Sequence, residues 1–488
     1  MKTLSDILFG CKIKQIVGND FLGIDSIHID SRAVVASSLF IAVKGYTVNG
    51  HDYVAKAVDN GAVALVVQVG ETLPDISKDV CIVWVEDSQE AVANIASNFY
   101  DNPSKKLKLV GITGTNGKTT VATLLHGFFS KMGYQVGLVS TVKNLIGKTE
   151  LPSTHTTPDA ISFQKLLADM VDAGCEFCFM EVSSHAIHQK RTAATHFTGG
   201  VFTNISHDHL DYHKTFKEYI RVKKQFFDEL PKSAFALSNA DDSNGSVMLQ
   251  NTRATKKYYG IKYPSDYKCK VLENTFLGLV LQCNGIEYFS PFIGHFNAFN
   301  LTAVVATANC LGVDLEQALM VVSSLSPVEG RFQHHVANAK VNVIVDYAHT
   351  PDALENVLNT INAIRTKNET LTTIIGCGGD RDKLKRPLMA KVAVELSDKT
   401  ILTSDNPRTE VPSAIINDMK AGVPGEFFMR YTVQEDRAEA IKLAMLSAQS
   451  GDIVLIAGKG HETYQDIQGV KHPFNDLEIA INMAKLIS

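Results

Sequence analysis

Nowhere in these 488 residues is there an apolar run long enough to cross a membrane. The longest stretches, such as "GAVALVVQVG" at 61–70, break well before the ~20 residues such a helix requires. An excess of positive charge is also missing. Lysine and arginine number 47 against 52 aspartates and glutamates, a formal balance of −5, so the chain as a whole offers no field that gathers nucleic acid or acidic membrane. Neither is expected as a partner. With 14 prolines, no low-complexity segment and no repeat of solenoid length, disordered, fibrous and array architectures are excluded. The eight cysteines (11, 81, 175, 178, 269, 283, 310 and 377) are scattered, and the start "MKTLSDILFGCKIK" lacks a long apolar core with a small-residue cleavage site. A reducing, cytoplasmic location is expected.

What is present is enough chain for about three domains. From 1 to about 105, β-branched runs at 37–43, 62–69 and 80–87 alternate with amphipathic stretches at 51–60 and 88–100, which predicts a small α/β domain. "DNPSKKLKLVGITG" at 101–114 then reads as a polar link followed by a new buried strand. In a second block, 106–330, strands at 107–113, 135–140, 177–182 and 199–204 are separated by helices, as in a mostly parallel sheet. There 265–295 reads as a β-hairpin excursion and 297–312 as a helix. The third block, 331–488, alternates strands at 341–347, 371–376, 399–403 and 452–457 with helices at about 352–366, 386–396, 412–420 and 435–449, the pattern of a second doubly wound unit. The predicted fold class is α/β in three domains: a small N-terminal one, a central P-loop ATPase-like parallel sheet, and a C-terminal Rossmann-like one.

"GITGTNGKTT" at 111–120 carries the chemistry most plainly. Its glycines at 111, 114 and 117 lie after a strand and before a helix, so backbone N–H groups and the positive helix end can surround a polyphosphate. Lys118 would reach the outer phosphates and the Thr119 hydroxyl a magnesium ion. A standard P-loop would have glycine where Ile112 stands. A turn needing glycine for geometry alone is the bland alternative. "EFCFMEVSSH" ends an apolar run on Glu181, a candidate metal acid, although a carboxylate there can also merely cap or pair. "TNISHDHLDYH" at 203–213 packs His207, Asp208, His209, Asp211 and His213 together, near the pattern of binuclear metallo-hydrolases but with the last histidine one residue late. An exposed polar loop with no metal is the bland alternative, set below a metal role because desolvating such a cluster calls for an offsetting cation.

Other motifs weigh less. Cys175 and Cys178 are half a zinc site at most, and on a strand would face opposite ways, so they are read as core thiols. "GKGHETYQ" at 458–465 has Gln465 where a zinc-protease helix needs histidine. "GCGGDRDKLKRP" at 376–387 lacks a full dinucleotide fingerprint and is better read as a glycine turn presenting Arg381. In "SDNPRTEVP", Pro407 fixes a turn after a strand from which Arg408 can grip a carboxylate with two prongs. A solvated surface arginine is the alternative.

Taken in order, "DSR" at 30–32, "GTNGKTT" at 114–120, "STHTTP" at 153–158, "MEVSSHAIHQKR" at 180–191, "FTNISHDHLDYH" at 202–213, "GHFNAFN" at 294–300, "EGRF" at 329–332, "DYAHTPDAL" at 346–354, "GCGGDRDKLKRP", "DNPR" at 405–408 and "GKGHE" at 458–462 resemble the Mur ligase family over nearly the whole chain. That family consists of ATP-dependent amide-forming enzymes of peptidoglycan precursor synthesis, and its P-loop is the slipped form seen here. "DNPR" is similar to the signature of members that add meso-diaminopimelate to UDP-N-acetylmuramoyl-L-alanyl-D-glutamate; relatives that add lysine lack the arginine. The resemblance implies an acyl phosphate on the γ-carboxylate of D-glutamate, then attack by the amine of diaminopimelate.

By the same resemblance, Gly114, Thr115, Asn116, Gly117, Lys118, Thr119, Thr120, Asn297, Asn300, Arg331 and His349 would bind ATP. Two Mg²⁺ sites are implied, with Thr119 and Glu181 at one. At the other would stand His209 and a CO₂-derived lysine carbamate at Lys223, which has Lys224 directly beside it. The nucleotide-sugar end would lie on the first domain near Ile29, Ser31, Tyr46, Thr47 and Val48. Thr156, Thr157, Ser183, Gln189 and Arg191 would hold the peptidyl end. Arg381, Asp405, Asn406, Pro407, Arg408, Gly458 and Glu462 would form the diaminopimelate pocket. A lysine substrate would leave Arg408 desolvated without a partner, a penalty of roughly 1–3 kcal/mol or more for a charged group. A monomer is expected. The competing readings are the same ligase with L-lysine or another diamino acid, a folylpolyglutamate-synthetase-like ligase, a metallo-hydrolase built on 207–213, and a non-catalytic ATP switch.

Overall fold

The computed structural model describes residues 2–45, 48–76, 79–153, 156–206, 208, 210–337 and 340–487. It forms three main sheets. The first has five strands in the order Ile13–Val17, Cys81–Val85, Ala62–Gln68, Ser38–Ile41 and Ser26–His28, parallel except for the Ile13–Val17 edge. Its core cluster packs the helix Ser88–Phe99 through Ala91, Val92, Ile95 and Ala96, the i, i+1, i+4 recurrence of an amphipathic face. Asp87 caps that helix by accepting from the Glu90 amide at 3.0 Å.

The central sheet has eleven strands. Seven of them, Val136–Val139, Phe177–Glu181, Lys108–Thr113, Gly199–Phe202, Phe235–Asn239, Thr255–Gly260 and Tyr267–Thr275, run parallel in that spatial order. The four expected strands are there, but the parallel body also takes in the unexpected Phe235–Asn239 and Thr255–Gly260, and both flanks differ from expectation. A hairpin of Lys143–Ile146 and Thr149–Pro152 extends one edge antiparallel, and the expected excursion at 265–295 is a three-strand meander closing the other. Alternation along Lys108–Thr113 explains the layering. Val110 and Ile112 face the helices Lys118–Lys131 and His295–Cys310, whereas Leu109 faces Ala160–Asp172 and Phe216–Asp228. Both sheet faces are therefore covered at its centre, which is why Val136–Val139, Phe177–Glu181 and Gly199–Phe202 are almost wholly apolar. Phe128, fully buried, is one point where this can be broken: truncation to alanine costs about 3–5 kcal/mol.

The third sheet runs Gln333–Val336, Asn342–Asp346, Ile453–Ala457, Leu371–Ile375, Lys399–Leu402 and Tyr431–Val433, and only its first strand is antiparallel. Helices Pro351–Ile364, Lys385–Leu396 and Pro412–Lys420 cover one face; Arg437–Ser447 and Asp476–Ile487 cover the other. A two-stranded hairpin, Tyr464–Ile467 with Val470–Pro473, follows the last core strand. Cys175 and Cys178 are both buried thiols, but they share one core, because the strand begins only at Phe177 and Cys175 lies in the turn before it. No helix among the described residues is long and apolar enough to cross a membrane.

Candidate active site

The glycine loop leaves the C-terminal end of Lys108–Thr113, where ligands of parallel sheets bind. Its neighbours in the sheet aim their own ends at it. From Gly199–Phe202 the chain continues through Asn204, whose carbonyl accepts the Thr115 amide at 2.8 Å and whose side chain accepts the Asn116 amide at 2.9 Å. Thr203 donates to the Asn116 carbonyl at 2.6 Å. Gly117 opens the helix Lys118–Lys131 at φ +87°, and a Cβ there would stand 2.6 Å from Oδ1 of Asn300. Glycine at 117 is thus demanded twice, by conformation and by the close approach of a candidate ATP residue. Asn297 is buried beside it and accepts from Asn300 Nδ2 at 3.1 Å. Thr115, Thr119 and Thr120 are buried in the loop and its first turn.

Cations crowd beneath this loop. Lys118 Nζ donates to the carbonyls of Gly114 and Thr115 at 2.9 and 2.8 Å. Lys223, 1% exposed, donates to the Gly114 carbonyl at 2.9 Å and lies 4.8 Å from the Tyr219 ring centre. Burial lowers the pKa of both lysines. For Lys223, with Lys118 as a further cause, it falls well below the usual lysine value. Lys224, the adjacent candidate, turns away to pair with Asp228 at 2.7 Å. Glu181 is fully buried and its two oxygens accept from the amide and hydroxyl of Thr141 at 2.8 and 3.1 Å. Asp208 acts electrostatically on both lysines, whereas His207 and His209 lie outside the described residues. His213 is buried against Ser184 at 2.9 Å.

Among the described residues, no group of three or more His, Cys, Asp or Glu could hold a metal ion. A carboxylate and a hydroxyl beside a phosphate loop instead suit magnesium, which keeps phosphate oxygens and waters as its other ligands. Thr119, in the first turn after the loop, carries such a hydroxyl, and buried Glu181, which acts electrostatically on Lys118, such a carboxylate.

A continuous chain of hydrogen bonds leads from Glu181 to the expected peptide-binding residues. The Thr141 hydroxyl, donating to Glu181, lies 3.1 Å from the hydroxyl of Thr156, and buried Thr157 donates to the Glu181 carbonyl at 2.8 Å. Arg191 donates to the Thr157 carbonyl at 2.7 Å and to Gln189 at 2.7 and 3.0 Å, and Gln189 in turn donates to Tyr212 at 3.1 Å. Ser183 caps the short helix Ser184–His188 by accepting from the Ala186 amide. On the first domain Ser31 is buried, while Ile29 and Val48 are exposed; Tyr46 and Thr47 lie outside the described residues.

The third sheet supplies a second set of loops, again at strand C-termini. Because Ile453–Ala457 sits between Asn342–Asp346 and Leu371–Ile375, the loop 458–462 lies beside those at 347–350 and 376–379. Arg408 adopts φ +51° in its turn and donates to the Gly379 carbonyl at 2.7 Å. Gly378 leaves room for it, since a Cβ there would be 2.8 Å from the Arg408 guanidinium and 3.8 Å from the Arg381 chain. Arg381 itself is exposed. Asp405, Asn406 and Pro407 are buried, and Asn406 donates to Glu462 at 2.7 Å. Burial and the neighbouring Asp405 raise the pKa of Glu462.

Several residues that hold these loops were not singled out in the sequence. Arg386, fully buried, grips Glu410 at 2.8 and 3.0 Å and Asp418 at 2.8 Å; Asp380 accepts from the Thr409 hydroxyl at 2.7 Å. Together they clamp the 405–410 turn onto the 376–386 loop. Asp352, at the start of Pro351–Ile364, accepts from Asn116 at 3.1 Å and from Ser206 at 2.9 Å, joining the third domain to the glycine loop. Arg331 makes a further crossing, donating to Thr119 Oγ1 at 3.2 Å while stacking 4.5 Å over Tyr347. Tyr347 lies between His349 and His461, with ring centres 4.7 and 5.0 Å away. Arg386 and Asp352 both stand inside motifs quoted above, so their positions were visible although their partners were not.

Comparison with known proteins is in keeping with this arrangement. The Mur ligase family, catalytic domain, matches residues 23–100; the Mur ligase middle domain matches 112–308; and the Mur ligase, glutamate ligase domain, matches 330–460. The UDP-N-acetylmuramoyl-L-alanyl-D-glutamate--2,6-diaminopimelate ligase of Cytophaga hutchinsonii is 52% identical over 475 residues, 97% of each chain. Its counterpart from Phocaeicola vulgatus is 50% identical over 98% of each. A solved structure of a ligase with that same name superposes with a TM-score of 0.69 at 31% identity, covering 99% of both chains. The chain belongs to the Mur ligase family.

Proposed function

We propose that this chain is an ATP-dependent ligase that joins meso-diaminopimelate to the γ-carboxylate of D-glutamate in UDP-N-acetylmuramoyl-L-alanyl-D-glutamate, a step of peptidoglycan precursor synthesis. End-to-end identity with ligases so named supports this reading. The observation that carries it is the meeting of two unlike sites. A cation-lined glycine loop is touched, through Arg331 and Asp352, by the domain that bears the Arg408 turn.

In the proposed assignment, residues 1–105 hold the uridine end through Ile29, Ser31, Tyr46, Thr47 and Val48, residues 106–330 hold ATP, and residues 331–488 hold the amino acid. Thr156, Thr157, Ser183, Gln189 and Arg191 orient the peptidyl end so that its γ-carboxylate faces the γ-phosphoryl group. Lys118 and Arg331 offset the charge of two anions brought together, and Asn297, Asn300 and His349 position the nucleotide. Magnesium, held by Thr119 with Glu181 and by His209 with a carbamate on Lys223, would supply further charge neutralisation. Carbamate formation requires a neutral amine, and the depressed pKa of Lys223 favours one. Transfer of the phosphoryl group gives an acyl phosphate and ADP. The amine of diaminopimelate then attacks the carbonyl carbon, phosphate leaves with the C–O bonding pair, and the departing phosphate takes up the proton that the nitrogen sheds. Arg381, Arg408, Asp405, Asn406, Pro407, Gly458 and Glu462 form the pocket that presents this amine, and Arg408 pairs with the carboxylate at the far stereocentre. The enzyme is proposed to act as a cytoplasmic monomer, which sedimentation would check.

ADP release measured with UDP-N-acetylmuramoyl-L-alanyl-D-glutamate and either meso-diaminopimelate or L-lysine tests the whole reading. Release is expected only with both substrates present, and far faster with diaminopimelate. ADP formed without either substrate would overturn the ligase, and equal use of lysine would overturn the pocket.

A further inference from the structure

Lys459 is the least expected charge in the third domain. Its side chain is fully buried, at the end of the central strand Ile453–Ala457, and its ammonium donates to Asn406 Oδ1 at 2.9 Å and to Glu462 Oε2 at 3.1 Å. A buried ammonium is costly unless its environment uses it. Here it fixes two neighbours. Asn406 Oδ1 also accepts the Asp466 amide at 2.9 Å, so the Asn406 side chain has one allowed orientation, with Nδ2 donating to Glu462 Oε2 at 2.7 Å. Two donors thus converge on one oxygen of Glu462.

Behind this trio stands a second buried cation, Arg437. It is held by Asp476 at 2.8 Å, and its Nη1, 4.0 Å from Asp405, makes no hydrogen bond among the described residues. Gly458, at φ +112°, lets Asp405 approach, since a Cβ there would be 2.7 Å from its Oδ2. The groups acting on Glu462 are therefore Asp405, Lys459 and Arg437, with the phenols of Tyr347 and Tyr464. Two carboxylates close together oppose each other's ionisation, and buried cations behind them restore it.

We propose that Lys459 is a positioning residue for the incoming amino acid: by fixing the Asn406 amide and the Glu462 carboxylate, it makes this pocket a receptor for the substrate's ammonium group. The inference rests on the diaminopimelate pocket proposed above. Lys459 does not touch the substrate; it acts through Glu462 and Asn406. Without it, Glu462 faces Asp405 with only Arg437 in opposition, so its pKa rises further, toward the neutral acid where a carboxylate is needed.

The test is the Michaelis constant for meso-diaminopimelate, measured from pH 6.5 to 9 on the whole enzyme and on Lys459→Met, Glu462→Gln, the double variant and Lys459→Arg, alongside that for ATP. Lys459→Met is expected to raise the constant for diaminopimelate about tenfold or more at pH 7 while moving that for ATP less than about twofold. The deficit should shrink as pH rises and Glu462 ionises again. Glu462→Gln should show a comparable deficit without recovery, and the double variant should be no worse than Glu462→Gln. A pH-independent rise, additive losses or parallel changes for ATP would mean a merely structural lysine and overturn the proposal. Should Lys459→Met not fold, Lys459→Arg decides: a profile like the parent's supports the role of the charge, and one like Glu462→Gln overturns it. If the unaltered chain does not use diaminopimelate at all, the proposed function fails instead, a distinct result.

Discussion

The glycine loop of the central sheet and the Asp405–Arg408 turn of the third are built on the same plan, irregular backbone at the carboxyl ends of parallel strands, yet they carry opposite electrical arrangements. Under the first, Lys118 and Lys223 donate to the loop's own carbonyls, Arg331 reaches Thr119, and the carboxylates of Glu181 and Asp208 act on Lys118. In the second, Asp405 and Glu462 are backed by the buried cations Lys459 and Arg437, and Arg408 stands apart on the 378–379 loop. The first can be completed by a polyphosphate. The second can be completed by a molecule bearing an ammonium and, at a distance, a carboxylate. Two loops of similar geometry are thus distinguished by the charges buried behind them.

The contrast can be broken most severely at the phosphate side. Lys118→Ala should lower kcat by about a hundredfold to a thousandfold, the scale of losing one preorganised charge at a developing transition state, as read from ADP release. Nearly as large an effect is expected for Lys223→Ala. If the carbamate is the active form, the unaltered enzyme should lose activity in CO₂-free buffer and regain it with bicarbonate, a response absent from the variant. On the amino-acid side, Arg408→Ala should lower kcat/KM for diaminopimelate about tenfold to a few hundredfold and narrow the preference over lysine, leaving the Michaelis constant for ATP unchanged. An unaltered constant for diaminopimelate would remove the role given to that arginine. The smallest effect belongs to the bridge between the two sides. Asp352→Ala removes two hydrogen bonds to a carboxylate, and the Michaelis constant for ATP should rise several-fold, with a larger radius of gyration in X-ray scattering.

Much of this was legible in the sequence because it is local. The period-2 and period-3.6 patterns give parallel strands from Lys108–Thr113 to Ile453–Ala457 and helices such as Pro412–Lys420 to within a residue or two, but the parallel strands Phe235–Asn239, Thr255–Gly260 and Tyr431–Val433 and the helix Asp476–Ile487 were not expected. Pro407 announces the turn from which Arg408 projects, and the structure adds the left-handed backbone of Arg408 and its seat on Gly379. What stayed hidden involves distant partners. Nothing near residue 352 names Asn116, and nothing near 459 names Asn406; these contacts depend on which strand ends are neighbours in a folded sheet. The short antiparallel strands at 143–152 and 278–290 were missed or merged because their half-exposed sequences carry weak alternation. The bulge between Val271 and Glu273 blurs it further.

The third sheet's strand order also bears on how the chain assembles during synthesis. Ile453–Ala457 is its last strand to be made, yet it lies in the middle, pairing with Asn342–Asp346 on one side and Leu371–Ile375 on the other. Until it emerges from the ribosome, the sheet is two separate ribbons with two open apolar edges, the kind of nascent surface that invites mispairing or a chaperone. A chain truncated just before Gly451 would lack far more than a terminal helix. It would have no strand pairing to join the ribbon that ends in Asp346 to the ribbon that leads to Arg381 and Arg408.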